Sequence, residues 1–287
     1  MQFSPKRTVY LDGQYMPAAE AKVSIFDRGY LMADAIYEFT AVVDNQLLDF
    51  EGHYQRLQRS LNALDFELEV DRDDLLEMHR QLVARNDLGL GGVYLQISRG
   101  VAERDFSFPA GITPTVMAFT QKMNVLENPA AKTGLKVISA EDGRWLRRDI
   151  KSVQLLYTSM VKTQAIRNGA DDAFFVKDGY VTEATSANAF IIRDNTIVTR
   201  DLSADILHGV TRKGILTLAD KAGLKVDERP FTISEAQDAD EVFITASPIF
   251  ALPVVEIDGR VIADGKPGKA TRDLRAILID DLRRHAI

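Results

Sequence analysis

Two segments of this chain carry residue types that could do covalent chemistry together. Lys151 follows the basic stretch Arg144-Trp145-Leu146-Arg147-Arg148-Asp149-Ile150. It lies where the apolar strand pattern of 135–139 has ended and a helical pattern begins, so its amine could point into a cleft. A protonated amine is not nucleophilic, but a low-dielectric site or a cationic neighbour makes a lysine able to condense with an aldehyde. Arg144 and Arg148 are cations nearby in sequence. On position alone, a solvated lysine at a helix start is the simpler reading. The second segment, 181–190, puts Glu183 at the end of a short strand and follows it with Thr185, Ser186 and Asn188. These small, hydroxyl-bearing and amide residues suit a polar ring and an anion, and the plain alternative is a strand-end glutamate in water. Together the segments suggest a pyridoxal phosphate site.

A phosphate needs oriented amides and hydroxyls, which helix N-termini and glycine turns supply. Leu207-His208-Gly209-Val210-Thr211-Arg212 fits, with Gly209 allowing a tight turn and the amides of Val210 and Thr211 opening a helix. The Thr211 hydroxyl is the expected side-chain contact, although Thr211 reads equally as an ordinary residue of a first helical turn. In Thr245-Ala246-Ser247-Pro248 a strand ends in a turn.

The elements that must position these residues read as an α+β pattern. Strands and a hairpin over 8–17 lead to a helix after Asp27-Arg28-Gly29-Tyr30, then to paired strands at 35–43 and 46–49. Amphipathic helices at 51–64 and 72–86 precede strands at 92–98 and 115–121. The stretch 124–133 has linker composition. Beyond it come a strand at 135–139, a helix at 151–168, and strands at 172–177, 180–182, 187–193 and 196–199. A helix at 211–222, a strand at 225–230, a helix at 234–239, strands at 241–246 and 253–257 and a helix at 269–284 complete the pattern. We therefore expect a small N-terminal domain at 1–121, a linker at 122–134 and a larger, β-rich domain at 135–287.

Composition narrows the function classes. With 46% apolar and 27% charged residues in 287, the chain reads as globular, with a sizeable core. Cysteine is absent, which removes disulfides, thiolate nucleophiles and cysteine-ligated metal. The four histidines, His53, His79, His208 and His285, lack the spacing of a helical zinc pair, so no metal is expected. A net charge of −7 disfavours nucleic acid as the partner, although Arg144, Arg147 and Arg148 could serve a small anion. No apolar run approaches the roughly 20 residues of a bilayer span, and the start lacks a hydrophobic leader. The expectation is no membrane and a cytoplasmic location.

The ordered segments RWLRRDIKS (144–152), VTEATSANAF (181–190), HGVTR (208–212) and FITAS (243–247) resemble the fold type IV pyridoxal-phosphate aminotransferases. The resemblance spans nearly the whole chain. EDGRWLRRDIKSVQLL (141–156) and FDRGYLMADAIYE (26–38) look most like the D-amino-acid transaminase branch. It implies a two-domain fold, Lys151 as covalent anchor and proton carrier, and Glu183 against the pyridine nitrogen. The cofactor would also meet Arg56, Ser186, Asn188, Gly209, Val210, Thr211, Ala246 and Ser247, with Arg56, Thr211 and Ser247 on the phosphate. Tyr37 would line the substrate pocket, and Arg104 would reach the substrate carboxylate across the interface of a homodimer with shared sites. Better-known members carry a histidine two residues after that arginine, where this chain has Phe106, a change that would admit amines without a carboxylate. Arg28 and Arg99 are possible substitute donors. The implied reaction is ping-pong transfer from a D-amino acid such as D-alanine or D-glutamate to a 2-oxo acid. Alternatives are (R)-amine or branched-chain L-amino-acid transamination and, less in keeping with the motifs, aminodeoxychorismate lyase activity.

Overall fold

The computed structural model describes residues 4–287, which sort into two compact units. The first runs to Val125 and also takes in Ile150–Gln154 and His285–Ile287; the second holds Leu126–Asp149 and Leu155–Arg284.

In the first unit, β1 (Thr8–Leu11), β2 (Gln14–Pro17), α1 (Arg28–Met32), β3 (Ala35–Val43), β4 (Gln46–Leu47), α2 (Phe50–Ala63), α3 (Arg72–Arg85), β5 (Leu90–Ser98) and β6 (Thr115–Lys122) follow in order. Their strands form one antiparallel sheet, β2-β1-β6-β5-β3-β4. Asp44 and Asn45 take the left-handed conformation at φ 52° and 64°, which lets the chain reverse between β3 and β4. Asp49 caps α2 by accepting from the Gly52 amide at 3.2 Å. The buried residues of α2 are Phe50, His53, Arg56, Leu57, Ser60 and Leu61, the three-to-four spacing of one face. That face packs toward β3 and takes three polar side chains inside with it.

The helix expected to begin at Lys151 begins instead at Leu156. Residues 151–153 are extended: Ser152 bridges Ile36, the Tyr37 amide donates to the Lys151 carbonyl at 2.9 Å, and the Val153 amide donates to the Ala35 carbonyl at 3.1 Å. The cause is the layout of the sheet. β4 pairs only with Val42 and Val43, so the first residues of β3 have a strand edge on that side, and 151–153 satisfies it.

In the second unit, α4 (Ala130–Thr133) falls inside the expected linker. It is followed by β7 (Leu135–Glu141), α5 (Leu156–Arg167), β8 (Asp172–Lys177), β9 (Tyr180–Ala184), β10 (Asn188–Arg193), β11 (Thr196–Thr199), α6 (Val210–Leu218), β12 (Lys225–Glu228), α7 (Ile233–Gln237), β13 (Glu241–Ala246), β14 (Phe250–Ile257), β15 (Arg260–Val261) and α8 (Lys269–Arg284). The sheet runs β12-β11-β10-β13-β14-β7-β8-β9, and β9 pairs back onto β10 through Glu183 and Asn188. Six strands thus close into a ring, which leaves neither β9 nor β10 as a bare edge there. The interior is apolar, with Phe174, Val181, Ile191, Val242, Ile244 and Leu252 buried in one cluster. Sequence patterning put Glu183 at a strand end. It is the penultimate residue of β9, near that end, and sits at the point where the ring closes.

Candidate functional site

In the first unit, Lys151 and Tyr37 meet. The Lys151 Nζ lies 4.0 Å from the Tyr37 ring centroid, and that ring stacks on Tyr94 at 5.5 Å and 22°. The Lys151 amide faces the Ser60 hydroxyl at 3.3 Å, and its side chain is half-buried. Among the described residues, no carboxylate forms an ion pair with it. The backbone pairing to β3 fixes where the amine emerges, and the tyrosine face lies against it.

Arg56 is one helical turn before Ser60 on the same face of α2. Its Nε and one terminal nitrogen each donate to Glu38 at 2.7 Å, and Glu38 also meets His53 Nδ1 at 2.7 Å. All three are buried. Burial works against the Glu38 charge, but Arg56 and His53 outweigh it and hold the carboxyl well below the ordinary range. The anchoring of Arg56 by Glu38 and His53 was not legible in the sequence. Glu38 alternates with Tyr37 along β3, so the tyrosine and this buried cluster belong to opposite faces of the strand.

Arg28, expected as a carboxylate donor, is buried at 2% exposure. Its Nε donates to Asp34 at 2.8 Å and a terminal nitrogen to the Asp105 carbonyl at 2.7 Å. Arg99 donates to the same Asp34 and to the carbonyls of Leu64 and Asp65. Both guanidiniums therefore brace the loop after β5, because Asp34 collects them inside the unit. Arg104, by contrast, is exposed, and its guanidinium lies 5.1 Å from the ring of Phe106, itself 78% exposed.

In the second unit the expected residues gather at one end of the ring. Asn188 lies opposite Glu183 on β9 and opposite Thr245 on β13, so Ala246 and Ser247 follow directly beside it. Its Nδ2 donates to Glu183 Oε1 at 3.0 Å and to the Leu207 carbonyl at 2.9 Å. The Leu207 amide donates to the same Oε1 at 2.7 Å, and Arg144 donates to Oε2 at 2.6 Å. These three donors take three of a carboxylate's roughly four lone-pair sites, so Glu183 can accept one more N–H. Burial pushes the Glu183 carboxyl up, against the pull of Arg144.

Gly209 precedes α6 at φ −63° and ψ 131°, and no side chain caps the helix. A Cβ at Gly209 would lie 2.0 Å from Asn188 Oδ1, so only glycine brings this helix start against the Glu183 group. The amides of Val210 and Thr211 are thus presented to an anion, with Thr211 buried. Ser186 is exposed in the turn between β9 and β10.

The arginines of 144–148 serve carboxylates. Arg144 grips Asp142 with two nitrogens, Arg148 pairs with Asp142 and Asp205, and Arg147 pairs with Asp149 at the surface. Asp142 was not singled out by sequence reasoning, and the Asp-Gly-Arg spacing ahead of Lys151 is the signal that could have marked it.

The ring end thus has the donors and acceptors that suit a flat heterocycle with a nitrogen donor and a phosphate. The model for amino-transferase class IV matches residues 35–257. The D-alanine aminotransferase of Bacillus licheniformis is 37% identical over 94% of this chain and 95% of its own length. That of Staphylococcus aureus strain N315 is 36% identical over 97% and 99%. Among solved structures, the Escherichia coli branched-chain amino acid aminotransferase has a TM-score of 0.89 at 22% identity, covering 96% of this chain and 95% of that one. A second branched-chain amino acid aminotransferase, from T.th. and complexed with N-(5'-phosphopyridoxyl)-L-glutamate, has a TM-score of 0.90 at 23% identity, covering 98% and 95%. The closed ring with its Glu183 end, and a sequence match running almost end to end, make this chain a member of the class IV aminotransferases.

Proposed function

We propose that the chain is a pyridoxal-phosphate-dependent transaminase that moves the amino group of a D-amino acid, of the D-alanine or D-glutamate type, to a 2-oxo acid in two half-reactions. The observation that carries the substrate class is the near-full-length match to D-alanine aminotransferases at 37% identity. The branched-chain enzymes, at 22% and 23%, share the fold.

Pyridoxal phosphate, when bound, supplies the aldehyde that takes the amino group and a ring that accepts the electron pair left when the α-proton departs. Lys151 Nζ is the proposed anchor and the base that takes the α-proton and returns one on the same face. Glu183 holds the proton of the ring nitrogen. Asn188 and the Leu207 amide fix its other oxygen. The Val210 and Thr211 amides, the Thr211 hydroxyl and Ser247 would hold the phosphate, with Gly209, Ser186 and Ala246 beside it. Arg56 adds a cation for the phosphate, oriented by Glu38. Tyr37 lines the amino-acid pocket, and Arg104 takes the carboxylate in a bidentate grip.

We assign substrate recognition to the first unit, with Tyr37 and Arg104, and the remaining cofactor contacts to the second, while the anchor Lys151 and Arg56, expected with the cofactor domain and the small domain respectively, both fall in the first. We also propose a homodimer. The segments 23–31 and 101–108 are joined by the bridge between Asp27 and Val101, and they expose Ile25, Tyr30 and Phe106 at 68%, 74% and 78%. A patch of this kind marks a protein interface. A Tyr30→Glu variant that sediments as the parent does would refute this face. A cytoplasmic setting completes the reading, and cell fractionation checks it.

Phe106 favours a second reading. A phenyl ring beside Arg104 adds no donor for a carboxylate, and it suits an (R)-amine lacking one. The test is single addition of D-alanine, L-leucine or (R)-1-phenylethylamine to cofactor-loaded protein, followed by visible absorbance. Bleaching by D-alanine with little response to L-leucine supports the D-amino-acid reading. A faster response to L-leucine or to the amine replaces it with the corresponding alternative.

A further inference from the structure

Glu183 has a dedicated partner. We propose that Arg144, locked by Asp142, is a positioning residue that fixes the orientation and the charge of Glu183. The inference rests on the transaminase reading for what Glu183 does, but the pair itself lies wholly within the second unit.

Three features carry it. First, the Arg144 fork spans two carboxylates: Nε and one terminal nitrogen hold Asp142 at 2.9 and 2.8 Å, and the other terminal nitrogen reaches Glu183 at 2.6 Å. Its planar guanidinium also lies 4.4 Å from the Phe175 ring centroid. A lysine could make one of these contacts but not the set. Second, the anchor is built in. The Asp142 side chain is fully buried, and it accepts from the Thr182 hydroxyl at 2.6 Å as well as pairing with Arg148. Gly143 leaves room there for the Tyr157 ring, which a Cβ would approach to 2.7 Å. Third, Glu183 needs a cation. Its other contacts are a neutral amide side chain and a backbone amide, and a buried carboxyl with neutral partners takes up a proton. Asp142 repels it, Arg148 and Asp205 are committed to each other beyond Asp142, and His208 follows Leu207 in the loop before α6. Arg144 is the cation in contact. A protonated Glu183 could not hold the proton on a ring nitrogen, so the electron-accepting power of the cofactor would depend on this arginine.

The experiment compares the parent, Arg144→Gln, Arg144→Lys and Asp142→Asn. The first readout is infrared difference spectroscopy of the cofactor-free proteins at neutral pH, with each spectrum repeated in a Glu183→Gln background to assign the signal. Arg144→Gln is expected to gain a carboxylic-acid carbonyl band that Glu183→Gln removes, whereas the parent and Arg144→Lys show none. Asp142→Asn removes a charge that repels Glu183 and leaves Arg144 to it, so its Glu183 band should appear at lower pH than in the parent, and this variant stands in if Arg144→Gln does not fold. The second readout is the ¹⁵N shift of ring-labelled pyridoxal phosphate, which should move toward the unprotonated value in Arg144→Gln and be restored by Arg144→Lys. A role in folding alone would leave both unmoved. Absence of a Glu183 acid band in Arg144→Gln, or equal bands in the Gln and Lys variants, overturns the inference. If the parent binds no pyridoxal phosphate, the functional reading falls while the infrared comparison still decides the pair.

Discussion

Replacing Gly209 by alanine tests whether the start of α6 and the Glu183 group form one unit. The backbone there is ordinary, at φ −63°, so alanine suffers no conformational strain. Shortening the list of unfolded conformations should even add about 0.4–1 kcal/mol of stability. The obstacle is Asn188, whose Oδ1 would lie 2.0 Å from the new methyl. A flexible surface side chain would move aside cheaply, but Asn188 is 5% exposed and donates to both Glu183 and the Leu207 carbonyl. Moving it loses a hydrogen bond to a charged group, worth about 1.5–3 kcal/mol, and a neutral one worth about 0.5–1.5 kcal/mol. The loss exceeds the gain, and the net expectation is about 2–3 kcal/mol of destabilisation. Urea unfolding followed by two probes measures it, with coincidence of the probes checking two-state behaviour. The sharper check is a double-mutant cycle. Asn188→Ala removes the obstructing atom, so Gly209→Ala added to it should cost nothing further, giving strong coupling instead of a sum. A Gly209→Ala protein within about 0.5 kcal/mol of the parent, well short of a broken hydrogen bond, or additive costs in the double variant, would refute the argument.

Lys151→Ala should abolish both turnover and the visible band of the cofactor-loaded protein; turnover at the parental rate would remove Lys151 from the chemistry. Arg104→Ala should raise KM for D-amino acids far more than for 1-phenylethylamine, and equal effects on both would show that this guanidinium does not hold the carboxylate. Burial lowers the His79 pKa from its ordinary 6.5 to about 4, with the ring hydrogen-bonded to the Leu75 carbonyl at 2.8 Å. Between these values the unfolded chain binds the proton and the native one does not, so stability is lost as pH falls through that window, by about 3 kcal/mol at most. His79→Gln should flatten this part of the stability profile, and an unchanged slope measured by urea unfolding would place the effect elsewhere.

Much of the scaffold was legible because its patterns are local. The strands at Thr196–Thr199 and Glu241–Ala246 and the helix Lys269–Arg284 follow their apolar periods and turn residues to the residue. Gly209 stands in ordinary extended backbone and not in the tight turn expected, and it is glycine because a side chain would strike Asn188, but the helix after it was equally readable. The start of α5 was not. Residues 151–153 read as helical in isolation, yet β3 offers unpaired backbone groups there, and strand pairing with a distant segment outweighs a weak local preference.

The roles of the arginines divide along the same line. By type alone, Arg28, Arg99, Arg144 and Arg148 were all available to an anionic ligand. Partners 6 to 65 residues away in sequence claimed all four: Asp34 for Arg28 and Arg99, Glu183 for Arg144, and Asp142 and Asp205 for Arg148. By itself, the sequence determined the class of chemistry: a lysine, a glutamate and a glycine-led helix start, in a fixed order with no cysteine to offer another route. Only the tertiary structure decided which charged groups are free to do that chemistry and which hold others in place. Burial makes an unpaired charge costly, so each buried charge must find a counter-charge, and the closing of β9 onto β10 determines which one Glu183 finds.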